Sequence, residues 1–95
     1  MAFLAQDPVG SGQQYPVTDV DGSTPAGLES FTGDVCLTLI CNGKAVQMLG
    51  SGCSVTGNGV RFHQKDPGPD GKDIRVWTVT QSVDGTFLAE PFAAF

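Results

Sequence analysis

The sequence is poor in basic residues and carries little charge of either sign. Five lysines and arginines stand against ten aspartates and glutamates, which gives a formal net charge of -5, and charged residues make up only 16% of the chain. Proteins that bind nucleic acid neutralise phosphates with clustered lysine and arginine, so we expect no nucleic-acid partner. The modest charge also argues against a highly charged disordered chain.

Long apolar runs are missing as well. No stretch approaches the roughly 18 consecutive apolar residues of a membrane-spanning helix. The opening residues MAFLAQDPVGSG contain neither a basic segment nor an apolar core of the length found in a secretory signal peptide. We therefore expect no membrane association and no export by a signal peptide.

Residues for catalysis are scarce. The chain has a single histidine, His63, which we expect on the outer face of a strand beside Arg61 and opposite Ser54. Nucleophilic catalysis also requires an orienting group and an oxyanion site, and no pattern in the sequence supplies them. We expect that the protein is not an enzyme and has no catalytic residue.

Metal-binding patterns are incomplete. The three cysteines, Cys36, Cys41 and Cys53, lack the paired spacing of a zinc site. Because Cys36 and Cys41 are five positions apart on one predicted strand, they point to opposite faces and can share neither a metal ion nor a disulfide. We expect reduced thiols, no bound metal and no cofactor.

Two aspartate-rich segments could hold calcium, since they combine oxygen ligands with flexible glycines. Neither completes a known calcium loop, and capping of turns is the favoured interpretation. The sequence leaves open whether these aspartates bind a cation: Asp19 and Asp21 in the first segment, and Asp66, Asp70 and Asp73 in the second.

Glycine, by contrast, is abundant, at 13 of 95 residues, and with six prolines and many β-branched residues it indicates strands and turns. A chain of this length can hold one modest core. Residues 1–30 show no sustained periodicity, and we expect them to form an extended N-terminal arm. Residues 31–95 are expected to form a β-domain.

The segment DVCLTLICNGKAVQML predicts a hairpin, because Asn42-Gly43 between two apolar runs favours a type I′ turn. A two-residue turn there places Leu39 opposite Val46 and Leu37 opposite Met48. A second hairpin is expected around Asn58-Gly59, with Val55 opposite Phe62.

A polar loop, the strand IRVWTVTQS and a turn at Asp84-Gly85 follow. The predicted fold is therefore all-β, a small antiparallel β-sandwich or open β-barrel built from hairpins. The last residues, AEPFAAF, form an extended apolar tail that either closes the core or docks on a neighbour.

The arm MAFLAQDPVGSGQQYP and the hairpin segment GLESFTGDVCLTLICNGK resemble, in architecture and composition, small bacteriophage capsid decoration or cement proteins. The resemblance implies a virion protein made in the host cytoplasm, which stabilises a lattice of major capsid protein, as trimers, with its arm laid on the shell as an added strand. The residues then expected to contact a partner are Phe3, Leu4, Val9, Tyr15, Val17, Phe92 and Phe95.

Two other functions remain open from the sequence. One is a small phage-encoded inhibitor or regulatory protein that binds a host complex, for which acidity and small size are ordinary. The other is a lectin-like or adhesin-like binding module in which Trp77 stacks on a sugar.

Overall fold

The computed structural model describes residues 13–66 and 74–94, with the backbone alone for residues 93 and 94. Its strands are β1 (Tyr15–Thr18), β2 (Gly33–Cys41), β3 (Lys44–Gly52), β4 (Gly59–Gln64), β5 (Arg75–Gln81) and β6 (Phe87–Ala94), and a 3₁₀ turn spans Leu28–Phe31. Each strand pairs antiparallel with the next, and β6 also pairs with β1. The all-β prediction is confirmed in the form of a small barrel, and this barrel is closed.

The first hairpin has the predicted register. Cys41 pairs with Lys44, so that Asn42 and Gly43 form a two-residue turn with φ values of 51° and 78°. Both values lie in the left-handed region that a type I′ turn requires. Leu39 pairs with Val46 and Leu37 with Met48, and both leucines are fully buried.

The second hairpin differs from the prediction. Thr56 and Gly59 exchange both of their backbone hydrogen bonds, so the turn residues are Gly57 and Asn58 instead of Asn58 and Gly59. Gly57 takes the positive φ, at 64°. The expected pairing of Val55 with Phe62 is wrong, because Phe62 lies opposite Gly52.

Two glycines of β3 make room for the core at one end of the barrel. The ring of Phe62 and the backbone oxygen of His63 lie against the Cα of Gly50, and the carbonyl of Phe31 lies against that of Gly52. A Cβ atom at either glycine would overlap these groups. The 3₁₀ turn can therefore pack against this end of the barrel. There the rings of Phe31 and Phe87 meet edge to face, with their centres 5.2 Å apart.

The C-terminal segment closes the barrel as β6. Its pairing shifts by one residue, since Trp77 pairs with Pro91 while the adjacent Val76 pairs with Ala93. Phe92 is thus the extra residue of a β-bulge. Proline has no N–H to give to a sheet, and a bulge is one of the places where a strand accepts it. Of the two expectations for the tail, the structure supports closure of the core for residues 87–94.

Part of the segment expected to be an arm belongs to the barrel. Tyr15–Thr18 forms β1, which lies between β6 and β2 and completes the closure. Leu28 and Phe31 also lie in the core. The β-domain therefore begins by Tyr15, before the expected boundary at residue 30, because a closed barrel needs this strand. Residues 1–12 lie outside the described part of the chain.

Candidate functional site

The residues expected to contact a partner fall into three groups. Those outside the described residues are Phe3, Leu4, Val9 and Phe95. Tyr15 and Val17 are buried in the core of their own barrel, with exposed fractions of 5% and 3%. These two side chains are not available to a partner in this structure, since the alternation of β1 turns them inward. Phe92 lies at the surface and is 51% exposed.

Phe92 and Arg61 form a surface pair. The guanidinium carbon of Arg61 lies 3.8 Å from the centre of the Phe92 ring, within the range of a cation–π contact. Arg61 is exposed on β4, opposite Thr78 of β5, and the bulge in β6 brings Phe92 toward it. Aromatic residues and arginine are the side chains most enriched at protein–protein contacts. The sequence signal for the bulge was Pro91, which lies within an otherwise strand-like tail.

A shallow groove of about 230 Å³ adjoins this pair and shares Arg61 with it. Its lining residues include Cys53, which is exposed, and four residues whose side chains carry a hydroxyl group. The hydroxyl side chains are those of Ser54, Thr56, Thr78 and Thr80. Hydroxyl side chains at a surface can donate and accept hydrogen bonds, as polar side chains do at the rim of protein–protein interfaces.

An ion pair on the outside of the barrel links Asp34, near the start of β2, to Lys65, the residue that follows β4. The Nζ of Lys65 lies 2.9 Å from the Oδ1 of Asp34, and both side chains are exposed. The hydrogen bond and positive charge of Lys65 lower the pKa of Asp34 below its ordinary value of 3.8. The exposed side chain of Leu49 also lies on this outer surface, on β3.

His63 and Trp77 do not form the sites considered from the sequence. His63 is exposed on β4, and the observed register places Ser51 opposite it instead of Ser54. Trp77 is fully buried, and its Nε1 donates a hydrogen bond of 3.0 Å to the Oε1 of Gln64. Trp77 thus has no free face on which a sugar could stack.

The cysteines do not cluster. Cys41 is buried inside the barrel, whereas Cys36 pairs with the exposed Leu49 on the outer face, so the two thiols point to opposite faces as predicted. All three cysteines are free thiols. Within residues 13–66 and 74–94, no three histidine, cysteine, aspartate or glutamate side chains lie close enough to hold one metal ion.

Of the two aspartate-rich segments, the structure shows one aspartate capping a turn and another at the surface. The carboxylate of Asp21 accepts hydrogen bonds from the backbone N–H and the hydroxyl of Ser23, at 2.9 and 2.6 Å. These bonds lower the pKa of Asp21. Asp66 is exposed, while Asp70 and Asp73 lie outside the described residues.

The barrel strands place the Phe92–Arg61 pair next to the groove that contains the hydroxyl side chains. Together they form a surface with both apolar and polar groups. Among the residues that the structure describes, no helix has the length and apolar character needed to cross a membrane. No protein-family model, no curated protein and no solved structure matches this chain. The functional assignment therefore depends on the chemistry of the chain's own surface.

Proposed function

We propose that this chain is a non-catalytic structural and binding protein, a capsid decoration or cement protein that stabilises a virion by contacting the major capsid protein. The observation that carries the proposal is Phe92, a half-exposed aromatic side chain held against Arg61 on the outer surface. The interior is occupied by side chains of the chain itself, with Phe62, Trp77 and Phe87 essentially inaccessible to solvent. Binding is therefore assigned to the outside of the barrel.

The small size of the barrel favours a contribution from the chain ends. A stable interface buries about 800 Å² on each partner, which is roughly one sixth of the 5052 Å² of accessible surface of this chain. Extended segments add contact area without a larger core. We assign this role to Phe3, Leu4 and Val9 near the N-terminus and to Phe95 at the C-terminus, and we expect the chain to act as a homo-oligomer, with a trimer favoured.

The class of the partner is tested by the abundance of the chain in virus particles. We expect quantitative mass spectrometry of purified particles to find it in amounts comparable to the shell protein. Absence from particles would contradict the proposal. Co-purification with a host complex instead would support the alternative of an inhibitor or regulatory protein.

The contact surface is tested with Phe92→Ala, matched to Val83→Ala. Val83 is a fully exposed apolar side chain in the turn between β5 and β6. Particles from a virus that lacks this gene serve as the probe, and binding of added protein is measured by sedimentation. We expect Phe92→Ala to weaken binding by about 2 kcal/mol, roughly thirtyfold, and Val83→Ala to leave it unchanged. Equal binding by both variants would remove Phe92 from the interface.

A further inference from the structure

Arg61 is an exposed cation without a carboxylate partner. Among the residues that the structure describes, the one ion pair joins Lys65 to Asp34, and the guanidinium of Arg61 has the ring of Phe92 as its only side-chain contact of a polar or cation–π kind. This isolation stands out in a chain with ten acidic and five basic residues. The N–H donors of the guanidinium are therefore available to a group outside the chain.

The contact with Phe92 restricts the position of the Arg61 side chain. The guanidinium carbon lies 3.8 Å from the centre of the ring, and a cation–π contact uses no hydrogen bond, so it leaves the N–H groups free. Holding a flexible side chain in place before binding reduces the entropy that binding costs. Glu90 lies one strand further, opposite Thr78, and forms no ion pair with Arg61 in the described part of the chain.

The groove beside Arg61 is lined by hydrogen-bond donors and by no acidic residue. Its neutral polar side chains make no hydrogen bond to any other group within residues 13–66 and 74–94. They are Ser54, Thr56, Asn58, Thr78 and Thr80. A carboxylate accepts hydrogen bonds and donates none. One cation surrounded by neutral donors therefore matches a single carboxylate group.

Gly59 keeps part of the groove open. A Cβ atom at this position would lie 3.3 Å from the Cγ2 of Thr80 and 3.7 Å from the Cγ2 of Thr78. Both threonines belong to the outer face of β5 and line the groove. Because glycine has no side chain there, a group of a partner can approach the strand backbone closely.

The size of the groove favours a carboxylate carried by a protein over a free small molecule. Its volume is about 230 Å³, below the roughly 300–1,000 Å³ of sites that enclose most of a small ligand. The groove adjoins Phe92, whose ring is half-exposed. A carboxylate on a protein surface can enter the groove while an apolar side chain beside it packs on this ring.

We infer that Arg61 and its groove bind the carboxylate of an aspartate or glutamate side chain on the partner protein, with Phe92 packed beside it. Arginine recognises a carboxylate through a pair of parallel hydrogen bonds, and the neighbouring hydroxyl groups can add further donors. This inference rests on the proposed function, in which Phe92 contacts the major capsid protein. It names the chemical group that the capsid surface presents to this site.

The first test uses the isolated full chain and needs no virus particle. Nuclear magnetic resonance spectra are recorded during titration with sodium butyrate or with butyramide, which has a similar shape and no charge, at constant ionic strength. We expect butyrate alone to give saturable shifts at the backbone amides of Gly59 and Thr78. Arg61→Gln should lose this response. Lys44→Gln, which removes an exposed positive charge at the other end of β3, should keep it. Equal responses to the two compounds, or a response that survives Arg61→Gln, would overturn the inference.

The second test measures binding of the same variants to particles that lack the chain. We expect Arg61→Gln to weaken binding about tenfold through the loss of a charged hydrogen bond. Arg61→Lys should fall between Arg61→Gln and the wild type, because lysine keeps the charge without the planar pair of donors. Glu90→Gln should bind at least as well as the wild type, since it removes a negative charge near the incoming carboxylate. Unchanged fluorescence of Trp77 would show that each variant is folded. Equal weakening by Arg61→Gln and Lys44→Gln would count against the site.

The two tests separate this inference from the proposed function. If butyrate binds through Arg61 and the chain is absent from particles, the carboxylate site stands and the virion function fails. If the chain is abundant in particles and Arg61→Gln binds them as well as the wild type does, the proposed function stands and the carboxylate site is rejected.

Discussion

The two hairpins of this barrel begin from the same sequence signal and end in different turns. Asn42-Gly43 forms the turn that this dipeptide favours, with positive φ at both residues. Asn58-Gly59 does not, because the preceding Gly57 takes the positive φ and the turn moves back by one residue. A turn dipeptide thus determines the strand register only where the residues next to it cannot form an alternative turn.

Packing selects the register of the second hairpin. Phe62 is fully buried and lies over the bare backbone of Gly50, opposite Gly52. Between the pair Gly52–Phe62 and the pair Thr56–Gly59, the three residues 53–55 lie opposite only two residues, 60 and 61. This one extra residue accommodates both the position of Phe62 and the tight turn. The first hairpin is specified locally, whereas the second follows the position of one aromatic ring.

Among the substitutions that test the difference between the two hairpins, Phe62→Ala is expected to change the free energy of unfolding most. Removing a buried phenylalanine costs about 3–5 kcal/mol through lost burial and the cavity left behind, which urea unfolding followed by tryptophan fluorescence would measure. Contacts between Leu39 and Val46 in nuclear magnetic resonance spectra should persist if any folded protein remains. Loss of the first hairpin together with the second would show that its register is not locally determined.

A smaller effect distinguishes the two possible turns of the second hairpin. Gly57→Ala places a side chain at a φ of 64°, which costs about 1–2 kcal/mol. Gly59 has no positive φ, and a Cβ there would meet Val79 O and Thr80 Cγ2 at 3.3 Å, a tight but adjustable contact. We expect Gly59→Ala to cost less in thermal or urea unfolding. The reverse order would indicate a turn at Asn58-Gly59.

The smallest effect concerns the ion pair that joins the two hairpins. The folded-state pKa of Asp34 lies below its ordinary value of 3.8 because Lys65 stabilises the carboxylate. Its contribution to stability is therefore present above that value and is lost as the pH falls through the folded-state pKa. Asp34→Asn should remove this part of the acid dependence, and the difference from wild type should shrink in roughly 1 M salt.

Much of the fold was predictable because the sequence pattern of a strand is contained within a few consecutive residues. The alternation around Leu37, Leu39, Val46 and Met48 and the turn at Asn42-Gly43 define a hairpin without reference to the rest of the chain. The strand at Arg75–Gln81 was recognised from its β-branched and aromatic residues in the same way. β1 was missed, because its four residues, Tyr15–Thr18, are too few for periodicity to stand out.

The candidate site was predictable only in part. Phe92 was identified from its apolar character near a chain end, and the structure leaves it half-exposed. Its contact with Arg61 joins residues 31 positions apart in the sequence, and it depends on a bulge two strands away from Arg61. Tyr15 and Val17 carry the same apolar signal and are buried, since composition does not reveal which side of a closed sheet a residue faces.

The sequence alone determined that this chain forms short antiparallel strands, where its first hairpin turns and which side chains of that hairpin face inward. These outcomes depend on dihedral preference and alternation, which act over a few residues. The tertiary structure decided the closure of the barrel through β1 and β6, the register of the second hairpin and the exposure of Phe92. Those outcomes depend on contacts between segments that are distant in the sequence, and the free energy of such contacts cannot be inferred from a pattern of a few residues.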